Sequence, residues 1–231
     1  MKTIGLLGGM TWHSTIEYYR LINDGIQKRL GGSHSARCIL YSVEFAEVER
    51  LQNEGAWEAL AGFMADAAKR VEQAGADLIV ICANTMHQMA GAVEAAVSIP
   101  LLHIADATAG EIRRQGLHTV GLLGTRFTME LDFYRNRLEE KHGFRVVVPG
   151  KEDRDAVHRI IYEELGRGII SESSRELYRS VIGNLHTDGA EGVILGCTEI
   201  PLLIRPEDCS IPTFDTTMLH AAAAVEWALG I

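Results

Sequence analysis

The sequence has neither the excess of basic residues that is typical of nucleic-acid-binding proteins nor the long apolar runs of membrane proteins. Acidic residues outnumber basic ones by 31 to 22, and the formal charge of −9 argues against nucleic acid or an anionic membrane as the main partner. The longest apolar runs fall far short of the ~20 residues that a membrane span needs, and no signal peptide is expected before Ile4. A small anionic ligand remains compatible with this charge, because a local site can oppose the global field.

Signals for disulfides and metals are also missing. The four cysteines show no CxxC spacing and no disulfide framework, which is typical of a reducing cytoplasm. The nine histidines show no HxxxH or similar clustering, so we expect no metal site. We expect Cys38 and Cys209 to be small buried hydrophobes, as most free cysteines are. The chain is long enough to bury a core without disulfides or metal.

Strands and helices alternate along the chain. Apolar runs that read as strands lie at residues 3–8, 36–43, 78–81 and 99–102. Helical segments follow them, at residues 45–53, 56–73 and 90–97 and, at the end of the chain, 216–229. The first helix is predicted to start from the capping-box spacing Ser14–Glu17 and to end at Gly31. Such alternation predicts βαβ units and a mainly parallel sheet.

The second half of the chain repeats the first. The strand and glycine turn at residues 3–8 recur at residues 119–124. The turn that begins at Ala83 recurs as the turn that begins at Cys197, at nearly the same offset. Several matches in the same order indicate an internal duplication.

We therefore predict an α/β protein of two similar lobes. Each lobe has a mainly parallel sheet flanked by helices, and a pseudo-twofold axis relates the lobes across a cleft. Residues 1–104 with 215–231 form the first lobe, and residues 105–214 form the second. The last helix is expected to pack back on the first lobe.

The paired turns suggest a chemistry. Turns at the carboxyl edge of a parallel sheet bind ligands in open α/β folds, and a pseudo-twofold axis places the Ala83 and Cys197 turns on opposite sides of one ligand. Two acid/base groups on opposite faces of one carbon are what stereoinversion by proton transfer requires. Cysteine suits this task because its pKa of about 8.5 is lowered near helix N-termini or cations. The amides of the helix N-termini would bind a carboxylate and stabilise enolate-like charge.

Each polar residue around the turns has two possible roles. Asn84, Thr85 and Thr198 either cap their helices or bind a substrate carboxylate, and both roles are compatible. Glu199 either complements the helix dipole or orients Cys197. We expect His87 to be structural.

Three further binding candidates lie on other turns and on the helix after the second strand. Met10 and Thr125 occupy the two equivalent glycine turns. Gln52, with Arg50, either reaches the distal carboxylate of an acidic substrate or lies on a solvated helix face. The first glycine turn lacks the third glycine of a dinucleotide fingerprint, so nucleotide binding is not expected.

Several motifs resemble those of the cofactor-independent aspartate/glutamate racemase family, in particular its broad-specificity or L-aspartate/L-glutamate racemase branch. They are the Gly8-Gly9-Met10-Thr11-Trp12 turn, Asn84-Thr85-Met86-His87 and Gly196-Cys197-Thr198-Glu199, and the resemblance covers nearly the whole chain. It implies two α/β lobes, no cofactor, a catalytic residue from each lobe, an acidic amino acid as substrate and a homodimer.

The chain departs from the family at the first catalytic position. Where relatives have the cysteine or threonine of a Cys-Asn-Thr-like motif, this chain has Ala83, which cannot carry a proton. Alanine there is either natural or an inactivating change. Cys82 lies one residue earlier and is expected to face the packing side, because neighbouring strand residues point to opposite faces. A local bulge would turn it inward.

The leading hypothesis is an aspartate/glutamate-type racemase with Cys197 as one acid/base and Ala83 at the partner position. An alternative is a single-cysteine decarboxylase or isomerase of a related dicarboxylic acid. A third is a protein that binds an acidic ligand without turnover.

Overall fold

The computed structural model describes the whole chain, residues 1–231. The chain forms two compact units. Met1–Ile104 and His220–Ile231 form the first, and Ala105–Leu219 form the second. Each unit contains one four-stranded sheet in which every strand pair is parallel.

The sheet of the first unit has the order β2-β1-β3-β4. Its strands are β1 (Ile4–Gly8), β2 (Cys38–Ser42), β3 (Leu78–Ile81) and β4 (Leu101–Leu102). Its helices are α1 (Trp12–Leu30), α2 (Phe45–Asn53), α3 (Trp57–Gln73) and α4 (Ala90–Ala96), and a 3₁₀ turn at Thr85–Met89 precedes α4. Every residue of β1 and β3 is buried, which explains why both strands read as unbroken apolar runs.

The sheet of the second unit has the order β6-β5-β7-β8. Its strands are β5 (Thr119–Gly124), β6 (Arg145–Val147), β7 (Gly192–Gly196) and β8 (Thr213–Asp215). The remaining helices are α5 (Ile104–Arg114), α6 (Arg126–Glu130), α7 (Asp132–Asn136), α8 (Lys151–Glu163), α9 (Glu172–Thr187), α10 (Ile200–Leu203) and α11 (Thr216–Leu229). Short 3₁₀ turns lie at Leu165–Arg167 and Pro206–Asp208, and a π-helical turn at Arg137–Lys141. None of the helices in the chain is both long and apolar enough to cross a membrane.

The two sheets have the same topology. In each, the first strand along the chain pairs with the second on one side and the third on the other, and the fourth strand lies beyond the third. This confirms the prediction of two similar α/β lobes with parallel sheets.

The last helix packs on the first unit. Its small residues Ala221, Ala224 and Ala228 belong to one buried cluster with Ile22 of α1. The helices approach closely, because a Cβ atom placed on Gly25 would lie 3.0 Å from Val225 Cγ2. The predicted position of this helix is confirmed.

Several predicted boundaries were wrong. Helix α1 starts at Trp12 and is capped by Thr11, whose Oγ1 accepts a hydrogen bond from the Ser14 amide at 3.4 Å. Ser14 is therefore inside the helix and does not cap it. The strand predicted at residues 99–102 is only Leu101–Leu102, and Pro100 before it has no N–H to donate to a strand ladder.

Candidate active site

The predicted site residues lie at the carboxyl edges of the two sheets. Strands β1 and β3 are neighbours, so the turn containing Met10 and the turn beginning at Ala83 leave the same edge. Strands β5 and β7 are neighbours in the second sheet, and the turns containing Thr125 and Cys197 also share an edge. Ligands of open α/β sheets bind at such edges.

The first-unit turn is buried and largely apolar. Ala83 is 9% exposed and shares an apolar cluster with Met10 and Met86. Asn84 and Thr85 are also buried. Asn84 occupies the N-cap position of the Thr85–Met89 turn, but its side chain makes no capping hydrogen bond. Its predicted capping role is therefore not observed.

The two candidate substrate-binding residues on α2, Gln52 and Arg50, lie in different environments. Gln52 is buried, and its Nε2 donates a hydrogen bond to the Met86 sulfur at 3.2 Å. Arg50 is exposed and pairs with Glu54, with 2.8 Å between Nη1 and Oε2. The solvated-face alternative is therefore correct for Arg50 and wrong for Gln52, which lies beside the first-unit turn.

Cys82, directly after β3, packs on the opposite side of the sheet from Ala83. It is fully buried in the cluster formed with α1 and α11, whereas Ala83 belongs to the cluster on the α2 and α3 side. The ladder continues through Cys82, whose amide donates to the Leu7 carbonyl at 2.9 Å, so no bulge turns the thiol inward. Burial also raises the pKa of the Cys82 thiol. The prediction that Cys82 faces the packing side is confirmed.

Cys197 is held by Glu199. The half-buried thiol donates a hydrogen bond to Glu199 Oε2 at 3.0 Å. Burial, and then the nearby Glu199 carboxylate, raise the pKa of Cys197 well above its ordinary value. The expected lowering of this pKa by a helix N-terminus is wrong, because α10 is a single turn and the neighbouring group is an anion. Both effects favour the thiol form of Cys197 over the thiolate.

Two glycines set the backbone beneath Cys197. A Cβ atom on Gly196 would lie 2.7 Å from the Leu123 carbonyl oxygen, and one on Gly124 would lie 2.9 Å from the Gly196 carbonyl oxygen. Neither position has room for a side chain, so β5 and β7 can approach closely at this edge. The position of Cys197 is thereby fixed by two paired strands.

Threonines lie on both second-unit turns. Thr125 is buried and caps α6, since its Oγ1 accepts a hydrogen bond from the Thr128 amide at 3.3 Å. Thr198 is half-buried beside Cys197. Sequence reasoning missed His158 on α8, whose Nδ1 accepts a hydrogen bond from the Arg126 amide at 3.2 Å. No sequence pattern links residues this far apart.

His87 is tied to the backbone of the first-unit turn. It is buried, its Nδ1 donates to the Ala83 carbonyl at 2.9 Å, and its Nε2 accepts from the Ile104 amide at 3.2 Å. Burial, followed by neighbouring His103 and His220, lowers the pKa of His87 well below its ordinary value. No group of three or more histidine, cysteine or acidic side chains in the chain is arranged to hold a metal ion.

The neutral state of His87 predicts a pH-dependent stability. Below about pH 6.5, the ordinary histidine pKa, the unfolded chain binds a proton at this residue before the folded chain does. The free energy of unfolding should therefore fall as pH decreases from 6.5 toward the folded-state pKa, by up to about 1.4 kcal/mol per pH unit. Urea unfolding over this pH range measures the effect.

The matched control for this prediction is His87→Asn, which cannot titrate. The difference in unfolding free energy between the original chain and the variant should shrink as pH falls. A difference that stays constant across this range would show that His87 does not cause the loss of stability.

Comparisons with known proteins identify the family of the chain. Residues 7–224 match the family model described as Asp/Glu/Hydantoin racemase. The chain belongs to the Asp/Glu/hydantoin racemase family. By family it is an isomerase of the amino-acid racemase type.

Individual relatives match along nearly the whole chain. The broad specificity amino-acid racemase RacX of Bacillus subtilis (strain 168) is 25% identical over 227 residues, which cover 96% of each chain. A Yersinia pestis structure assigned as an Asp/Glu racemase is 57% identical, with a TM-score of 0.94 and coverage of 99% of this chain and 100% of that one. An aspartate racemase homologue from Pyrococcus horikoshii OT3 is 40% identical, with a TM-score of 0.85 and the same coverage.

Proposed function

We propose that the chain is a cofactor-independent racemase of acidic amino acids such as aspartate and glutamate, with Cys197 as one acid/base. The observation that carries this proposal is the Cys197–Glu199 hydrogen bond of 3.0 Å at the carboxyl edge of β7, in a chain of the racemase family. Position 83, at the matching edge of the first sheet, is the partner position. Alanine there supplies no proton-transfer group.

Cys197 and Glu199 act together in this scheme. When a substrate carbanion forms, the thiol donates its proton to the α carbon and becomes a thiolate. In the reverse direction, the thiolate removes the α proton and becomes the thiol again. Where the cysteine starts as the thiol, the Glu199 carboxylate first takes the thiol proton to give that thiolate, and it then releases this proton to solvent. Transfer by one positioned side chain contributes roughly 10²- to 10⁴-fold to rate.

Polar residues of both turns would bind the substrate. Thr198 lies beside Cys197, while Asn84 and Thr85 follow position 83. Their hydroxyl and amide groups can donate hydrogen bonds to carboxylate oxygens. We further propose Met10, Gln52 and Thr125 as substrate contacts, because each lies on or beside one of the same sheet edges.

Exchange in D₂O tests the proposal. Incubated separately with the L- and D-enantiomers of aspartate or glutamate, the chain should exchange the α proton slowly and with retention in the one enantiomer whose α proton faces Cys197, because only Cys197 transfers protons to and from the α carbon. Proton NMR measures the exchange, and chiral chromatography measures the D-enantiomer. Absence of exchange, even when residue 83 is threonine or cysteine, would exclude racemase activity on these substrates. Tight calorimetric binding without exchange at any pH would instead indicate a binding protein.

A second candidate function also follows from Ala83. A single cysteine can protonate a planar enediolate from one side, as the decarboxylation of a disubstituted malonate requires. The bond to the departing carboxylate breaks, carbon dioxide leaves, and the Cys197 thiol supplies the proton. Carbon dioxide release from a panel of malonates tests this reaction, and no release from any of them would exclude it.

We also propose that the chain forms a homodimer through α1. Trp12, Ile16 and Tyr19 lie on one side of this helix, and each is more than half exposed, at 57%, 55% and 55%. Exposed apolar residues clustered in this way are typical of protein–protein contacts.

The four free cysteines suit a cytoplasmic location, which we propose for the dimer.

Substitution on this face tests the dimer. Ile16→Glu should convert a dimer into a monomer with little loss of folding stability, because the side chain contributes little to the core. Light scattering after size exclusion gives the mass, and Glu17→Lys on the neighbouring helix surface is the matched control. A monomeric original chain, or a dimer that survives Ile16→Glu, would contradict the proposal.

A further inference from the structure

Three buried histidines lie behind the first-unit turn. His87, His103 and His220 are 1%, 2% and 0% exposed. The His87 ring centroid lies 4.6 Å from that of His103 and 5.5 Å from that of His220. Proton transfer by Cys197 uses none of these rings, so their presence needs another explanation.

The hydrogen bonds of His87 fix its tautomer. The Ala83 carbonyl can only accept, so Nδ1 carries the hydrogen of the 2.9 Å bond. The Ile104 amide can only donate, so Nε2 carries none. Ile104 is the first residue of α5, and the positive end of a helix disfavours an added charge on the ring. These two hydrogen bonds are compatible only with the neutral Nδ1–H form of His87.

The neighbouring rings keep His87 in place. The titratable groups facing it are His103, just before α5, and His220 on α11. His220 is anchored on both sides, because its Nε2 donates to the Leu102 carbonyl at 2.9 Å and Tyr18 Oη lies 2.8 Å from its Nδ1. Two hydrogen bonds therefore hold the His220 ring that His87 contacts.

We propose that His87 is a positioning residue for residue 83. By holding the carbonyl of residue 83, it sets the direction in which that side chain points from the turn after β3, and it does so only as the neutral Nδ1–H tautomer. The inference rests on the proposed function, because residue 83 matters only as the partner position in proton transfer. His87 itself does not touch the substrate.

Two substitutions at His87 separate positioning from packing. The side-chain nitrogen of asparagine stands two bonds from Cβ, as Nδ1 does, so His87→Asn keeps a donor for the Ala83 carbonyl. The nitrogen of glutamine stands three bonds from Cβ, as Nε2 does, so His87→Gln loses that donor. Thermal unfolding shows at which temperatures both variants are folded.

The first measurement does not depend on activity. In the otherwise unchanged chain, hydrogen exchange of the segment at residues 82–89 should be about 10-fold faster in His87→Gln and close to the original rate in His87→Asn. Nitrogen NMR should show His87 as the neutral Nδ1–H tautomer. Equal exchange in both variants, or an Nε2–H tautomer, would overturn the proposal.

The second measurement uses the Ala83→Thr protein. There His87→Gln should lower kcat by about 10- to 100-fold with little change in KM, because a displaced catalytic group slows the chemical step. His87→Asn should restore kcat. If kcat does not separate the two variants, the positioning role is wrong. If no racemisation occurs with any residue at position 83, the proposed function fails, while hydrogen exchange still decides whether His87 holds the turn.

Discussion

Ala83→Thr should increase the rate of aspartate or glutamate racemisation by roughly 10²- to 10⁴-fold, the usual contribution of one acid/base group. The threonine hydroxyl would supply the second proton-transfer group that the proposed function requires at position 83. The D-enantiomer formed in D₂O should then carry deuterium, and single-face exchange should give way to inversion. Chiral chromatography with mass spectrometry measures both quantities.

Ala83→Val is the matched control for this prediction. Valine has the shape of threonine without the hydroxyl, so it tests whether filling the buried position is sufficient. Ala83→Cys in a chain that also carries Cys82→Ala shows that the new thiol, and not its neighbour, is responsible. A valine variant as active as the threonine variant would contradict the proposed role of position 83.

Removal of the Cys197 thiol should slow the exchange of the α proton. Cys197→Ala should reduce α-proton exchange by roughly 10²- to 10⁴-fold, because no other proton-transfer group remains on that face. Binding of the substrate, measured by calorimetry, should change little. Exchange that persists at the original rate would show that another group transfers the proton.

Glu199→Gln tests whether the Glu199 carboxylate controls the pKa of Cys197. Removing the carboxylate removes a charge that raises the pKa of Cys197, so this pKa should fall in the variant. The pH dependence of iodoacetamide alkylation measures the pKa without any substrate, and Thr198→Val is a control that leaves the charge unchanged. An unchanged alkylation profile would show that Glu199 does not control the thiol.

Much of the fold followed from periodicity and repetition. The buried strands of residues 4–8 and 192–196 are unbroken apolar runs, and the helix over residues 216–229 was predicted with its observed boundaries. Helix starts were less predictable, because Ser14 and Thr11 have the same capping chemistry and only the three-dimensional fold selects between them. The brevity of β4 was also not apparent, since its apolar residues continue beyond its two-residue pairing with β3.

The site was only partly predictable. Continuing the alternation of β3 past its end was enough to place Cys82 and Ala83 in different packing clusters. The raised pKa of Cys197 was not predictable, because it depends first on the burial of the thiol and then on which way the Glu199 side chain turns. The histidine group could not be found either, since its members come from three separate segments of the chain and meet only after folding.

The burial of the Cys82 thiol has an evolutionary consequence. A lineage that carries alanine at residue 83 cannot recruit the adjacent sulfur, because shifting β3 by one residue would reverse every side chain along it. Every alanine codon, however, becomes a threonine codon by the change of a single base. Descendants could therefore regain the missing group in one mutational step, provided that selection has preserved the surrounding scaffold.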